Sequence, residues 1–251
     1  MTFAIPELTT LFMLAFARVG ILVMLMPGLG ERFVMPRLRL AIALFLTLMM
    51  MPILRPLLPA GLAPAAIVGL LIGEIAVGLV LGLATRAVMA ALQTAGNVVA
   101  SQIGLSFAMS VDPAAGGQEA VIGNFLSLLG ATLIFATDLH HLAIGAIRES
   151  YSLLPPAGIP DSGDVARLAI GAVARGFALG VKIAAPFVVF ALLFNLGLGI
   201  LSRLMPQLQV FFLALPLSVL IGMLILLACL GMMMSVYLAD LGRFLQGLGS
   251  V

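Results

Sequence analysis

The chain has 251 residues, 63% of them hydrophobic and 9% charged, with 12 basic and 10 acidic side chains and a formal net charge of +2. A soluble domain of average usage carries roughly 45–50% apolar and about 25% charged residues, so these few charges cannot clothe a water-facing surface and argue against a soluble enzyme. A mean hydropathy of +1.28 points instead to lipid or other apolar protein around the chain.

The basic side chains form no run, and only Arg32, Arg37 and Arg39 cluster, which is no nucleic-acid groove. The single cysteine, Cys229, excludes an intrachain disulfide and a cysteine-based metal cluster. The first apolar run follows Pro6-Glu7 and ends without an Ala-x-Ala pattern, so it reads as a retained helix.

Apolar runs fall at residues 8–26, 38–58, 65–85, 119–137, 168–201 and 208–238, with a more polar helical stretch at 86–108. Lipid satisfies no open backbone, and the alternation a barrel strand requires is absent, so each run is expected to be helical. Spanning takes about 20 residues, which most of the runs supply. The last two are long enough to bend or split at Pro186 and Pro216. Breakers mark the connections: Pro27-Gly28, Pro52 to Pro64, Asp112-Pro113 with Gly116-Gly117, Pro155 to Asp164, and Met205-Pro206. The expected fold is a single all-α, polytopic membrane domain over residues 1–251, built of long kinked helices and helical hairpins. The basic residues outside the Arg32–Arg39 loop are singles on alternating sides, so the orientation signal is weak and not every run need cross a bilayer.

Arg18 lies well inside the first run, where snorkelling is difficult; a carboxylate or helix-end carbonyls are its expected partners. Arg86, Lys182 and Arg203 lie in or beside other runs and either snorkel or pair. Gly69 with Gly73, and Gly78 with Gly82, have the small-xxx-small spacing that lets helices approach closely. Glu74, Gly78 and Gly82 share a face, placing an acid on that seam, either as a hydrogen-bond acceptor or as a proton- or ion-coupling carboxylate.

In the stretch 86–108, Gln93, Gly96, Asn97, Ala100, Ser101 and Gly104 make a small, polar face opposite Val88, Leu92, Ala95, Val99 and Ile103. That face suits either a buried seam or the wall of an aqueous path. The loop after it, Leu105 to Pro113, reads as a surface turn or as a pore plug in which Phe107 and Met109 make soft contacts. Asp138, His140 and His141 are the one acid–histidine group. At about 100° per helical residue the two imidazoles point apart, so no metal site is expected, and capping or interfacial hydrogen bonding is favoured. No phosphate-binding loop or nucleophile elbow is present, and no cofactor is expected.

The ordered set of motifs resembles the FliR family of flagellar type III export-apparatus proteins and its injectisome relatives. The resemblance rests on Arg18 with Pro27-Gly28, Val34-Met35-Pro36 and Arg37-x-Arg39, then Glu74 with Gly78 and Gly82, then Gly96. It continues through Gln102-x-Gly104-Leu105-Ser106-Phe107-Ala108, Val111-Asp112-Pro113, Asp138-x-His140-His141-Leu142 and Ser150-Tyr151-x-Leu153-Leu154-Pro155. It closes on Ala185-Pro186, Ser202-Arg203-x-Met205-Pro206-Gln207-Leu208-x-Val210-Phe211-Phe212 and Pro216. It covers about residues 8 to 240. Gln209 in place of a common Asn or Ser, and Leu139 in place of a common Gly, are its departures.

The resemblance implies a structural and gating subunit of the flagellar protein-export channel, with no enzymatic activity. It further implies a right-handed assembly with FliP and FliQ that meets FlhB, and a FliP-like part at about 1–117 followed by a FliQ-like part at 118–251. The location implied is the bacterial inner membrane at the flagellar basal body, partly on the periplasmic side, with lipid and unfolded export substrates as further contacts. A plug would be formed by Leu105, Ser106, Phe107, Ala108, Met109, Val111, Asp112 and Pro113. Packing and assembly would involve Arg18, Glu74, Gly78, Gly82, Gly96, Gln102, Arg203, Pro206 and Gln207. The alternatives are a virulence-injectisome subunit and an ion-coupled transporter using Glu74; the latter calls for paired broken helices.

Overall fold

The computed structural model describes residues 5–30, 34–57, 64–105, 118–156, 162–205 and 210–247. Among them are α1 (Ile5–Leu25), α2 (Pro36–Leu54) with a 3-10 turn (Arg55–Leu57), α3 (Pro64–Gln102), α4 (Gln118–Ala136), α5 (Leu139–Leu153), α6 (Ser162–Leu204) and α7 (Val210–Gly247). No strand occurs among the described residues. Five stretches are long and apolar enough to cross a membrane: Leu8–Leu25, Pro36–Leu57, Ala66–Gln102, Ala166–Leu204 and Ala214–Gly247. The pair α4 and α5 adds a sixth only if taken as one broken span, bent by 81°. The chain is an all-α polytopic membrane protein.

The apolar run 65–85 continues into the more polar stretch 86–108 as one helix, α3, of 39 residues. One buried stripe recurs every three or four residues through Glu74, Val77, Leu81, Ala84, Val88, Leu92, Ala95, Val99 and Ile103, so packing continues where polarity changes. Thr85, at the junction, donates its hydroxyl to the Gly82 carbonyl at 2.7 Å and leaves the helix intact. Helices α6 and α7 likewise run through Pro186 and Pro216 without splitting. An interior proline disfavours a helix by about 3 kcal/mol, but Ile183, Ala184 and Phe187 beside Pro186 are all buried and hold that turn in place.

The chain folds into two compact units that do not follow chain order. One comprises residues 1–88, 131–175 and 241–251; the other comprises 89–130 and 176–240. In the first, α1 and α2 pack as a hairpin. Leu14, Val19 and Leu22 of α1, Val77 and Leu81 of α3, and Ile147 and Tyr151 of α5 belong to its core. In the second, Leu92, Val99, Leu126, Phe187 and Tyr237 are buried. The outer faces stay apolar: Phe45 and Met49 on α2, Leu192 and Leu196 on α6, and Leu224, Leu227 and Met232 on α7 are all exposed.

Candidate functional site

In α1, buried positions recur at Leu11, Leu14, Ala15, Arg18, Val19, Leu22 and Val23, a helical stripe that carries a guanidinium into the core. Arg18 is 1% exposed and meets both kinds of partner expected for it. Its Nε donates to Glu74 Oε2 at 2.6 Å and its Nη2 to Glu74 Oε1 at 3.1 Å, a two-pronged bond to a carboxylate on α3. Its Nη1 donates to the carbonyls of Ser150 at 2.9 Å and Leu154 at 2.8 Å, at the end of α5. The guanidinium carbon stands 4.2 Å from the centroid of the Tyr151 ring. A cation that satisfies final helix carbonyls also complements the negative end of the helix dipole. One side chain thus ties three helices together. Glu74 serves here as an acceptor.

The glycines beside Glu74 make that reach possible. A Cβ on Gly78 would stand 3.2 Å from the Arg18 carbonyl oxygen and from Ile21 Cβ, and one on Gly82 would meet Leu25 Cδ1 at 2.6 Å. Their seam is filled by α1 of the same chain. A Cβ on Gly69 or Gly73 would have nothing within 4 Å. The two glycine pairs on α3 therefore differ: one packs internally and one is open.

In the second unit, Gly96 crosses Gly123 of α4 so closely that a Cβ would strike the Gly123 backbone. Ser127 donates to Gln93 Oε1 at 3.3 Å. The polar face of 86–108 divides accordingly: Gly96 and Ala100 are buried, Gln93 is half-buried in this seam, and Asn97 and Ser101 are exposed. Helix α3 ends with Gly104 in the left-handed region (φ 87), the usual conformation just past a helix end. The Ser218 hydroxyl of α7 lies 3.1 Å from the Ile103 carbonyl and 2.9 Å from the Leu215 carbonyl of its own helix, which share its one proton, and a Cβ on Gly222 would collide with Ile103. The backbone leading into the expected plug is thus moored to α7. Leu105 is half-exposed; Ser106, Phe107, Ala108, Met109, Val111, Asp112 and Pro113 lie outside the described residues, as do Pro206 and Gln207. Gln102 is half-buried, and Arg86, Lys182 and Arg203 are exposed.

Sequence reasoning missed Gly123, Ser127, Ser218 and Gly222. The small residues Gly123, Ser127 and Gly130 at helical spacing were the available signal in α4. It also misjudged the histidines. Their rings do not point apart: the centroids of His140 and His141 lie 4.1 Å from each other. Asp138 takes a left-handed conformation (φ 57) and begins α5 without a side-chain cap hydrogen bond, so the expected capping is not found.

Residues 9–244 match the family model described as bacterial export proteins, family 1. The chain is 44% identical over 213 residues to the flagellar biosynthetic protein FliR of Caulobacter vibrioides, covering 84% of each chain. It is 31% identical over 208 residues to the protein of that name from Escherichia coli K12, covering 82% of this chain and 78% of the other. With the Bacillus subtilis 168 protein of that name it shares 30% identity over 231 residues, covering 90% and 88%. With nearly the whole chain matched, this protein belongs to family 1 of the bacterial export proteins.

Proposed function

We propose that the chain is a structural and gating subunit of the flagellar protein-export channel, required for flagellar biosynthesis and without catalytic activity of its own. One observation carries this reading beyond family membership: the exposed face of α6 carries large apolar side chains from Ile170 to Leu204, over more length than a bilayer covers. At 1.5 Å per residue, the 39 residues of α3 and 43 of α6 extend about 58 and 64 Å, against a hydrocarbon core of about 30 Å. Arg86 and Lys182, well inside these helices, are exposed, and a basic group at the bilayer centre costs about 2.5–3.5 kcal/mol on insertion scales. Helices of this kind are covered partly by other subunits.

The partners in this reading are homologues of FliP and FliQ in a right-handed helical assembly, with a homologue of FlhB against it, in the inner membrane and partly on its periplasmic side. The stretch at about 1–117 acts as the FliP-like part and 118–251 as the FliQ-like part. The segment from Leu105 to Pro113 closes the channel between export events, moored at its start by Ser218 and Gly222. The relatives named above are all flagellar biosynthetic proteins, which favours a flagellar over a virulence system. Glu74, held twice by Arg18, favours a structural role over ion coupling.

Deletion of the gene, with complementation, tests the reading. Cells lacking the chain should secrete no hook or filament protein and should regain secretion with the plasmid copy. Normal secretion without the chain would refute it.

A further inference from the structure

Helix α4 ends where the Thr137 amide donates to Leu133 O at 2.8 Å, and α5 starts three residues later with His141 N donating to Asp138 O at 3.0 Å. The intervening 81° bend puts three side chains that a straight helix would spread onto one side of the corner. One ligating atom from each of Asp138, His140 and His141 lies within 4.8 Å of the others. His141 Nδ1 is 3.7 Å from Asp138 Oδ1, too far for a hydrogen bond. His140 Nδ1 is buried and has no hydrogen-bond partner, beside a Phe135 ring whose centroid is 5.3 Å from the imidazole's. An unmatched buried polar atom is destabilising, and nothing among the described residues relieves it.

We propose that Asp138, His140 and His141 bind a divalent transition-metal ion of the zinc class. Imidazole nitrogen and carboxylate oxygen are the donors such ions take, at about 2.0–2.2 Å. Asp138 and His141 are 79% and 70% exposed, which gives them room to rotate inward and close a 4.8 Å spread to coordination distance. Coordination through His140 Nδ1 supplies the partner that atom lacks. Water completes the shell, as in three-ligand zinc sites. The positive N-terminus of α5 opposes a cation here, while the C-terminal carbonyls of α4 favour one by a similar amount. The ligand set therefore decides. The bound ion acts as a clip across the α4–α5 corner.

The test uses the full chain in its solubilised assembly, purified through a histidine-free tag, stripped with chelator and titrated with zinc chloride. One zinc per chain is expected, with affinity at least tenfold weaker in His140→Ala, His141→Ala and Asp138→Asn. Asp138→Asn is the control for folding, because asparagine also tolerates the left-handed backbone but ligates poorly. Bound cobalt should give the visible absorption of a low-coordinate site in the parent and lose it in Asp138→Asn. No retained zinc in the parent, or equal retention in the parent and Asp138→Asn, would overturn the site.

Discussion

Arg18 and Glu74, 56 positions apart in the chain, are joined by two hydrogen bonds of 2.6 and 3.1 Å in a pocket that leaves them 1% and 3% exposed. Replacing such a pair by apolar groups of similar volume is often neutral, whereas removing one partner strands the other charge. The pair therefore specifies which helices meet more than it adds net stability. That it also bonds the carbonyls of Ser150 and Leu154 extends this specification to α5.

Glu74→Gln should destabilise the chain by about 3–5 kcal/mol, the loss typical of a broken buried pair. Arg18→Met with Glu74→Leu should recover much of that loss. Chain abundance in membranes and thermal unfolding of the purified assembly measure both. A single variant as stable as the parent contradicts the account.

Tyr151 separates two contributions. Its hydroxyl reaches Ala15 O only at 3.5 Å, while its ring lies under the guanidinium. Tyr151→Phe should change stability by less than about 1 kcal/mol, since the ring and its cation–π contact remain. Tyr151→Leu should cost more than Tyr151→Phe in the same unfolding assay. Equal losses would assign the ring no part.

The glycine pairs of α3 should respond differently. Gly78→Leu drives a side chain into Arg18 and Ile21, so the chain itself should fail to accumulate. A Cβ at Gly73 opens on a space with nothing within 4 Å, so with Gly73→Leu the chain should accumulate while its assembly with FliP and FliQ homologues weakens. Native gels of both variants decide; a normal assembly in Gly73→Leu would remove that glycine from the subunit seam.

Deleting Leu105 to Ala115 should leave the assembled channel leaky to ions. Ser218→Ala, which removes the hydroxyl from Ile103 O, should loosen the same segment by about 1 kcal/mol and give a smaller leak. Conductance of the purified assembly in planar bilayers measures both. Unchanged conductance in the deletion would end the plug reading.

The helices were legible because apolar runs longer than about 20 residues have few other uses, and Arg18 advertised a partner because its depth in α1 precluded snorkelling. The ownership of the glycine seam was not legible. Own helix, neighbouring subunit and lipid are equally apolar, so the spacing of Gly78 and Gly82 announced a close contact without naming α1. The polar residues Gln93, Asn97 and Ser101 changed the surface of α3 but not its buried stripe. The histidines were misread because side chains about 100° apart on a helix can still converge through their rotamers, as the 4.1 Å ring separation shows. Nothing in the spacing announced the corner at Asp138 (φ 57).

The central claim, that apolar surface beyond the bilayer is covered by sister subunits, is tested most directly by native mass spectrometry of the chain purified with and without co-expressed FliP and FliQ homologues. The account predicts a discrete hetero-oligomer of fixed stoichiometry containing this chain, and an aggregated or degraded chain when it is expressed alone. A stable, monodisperse chain that ignores both partners would contradict it.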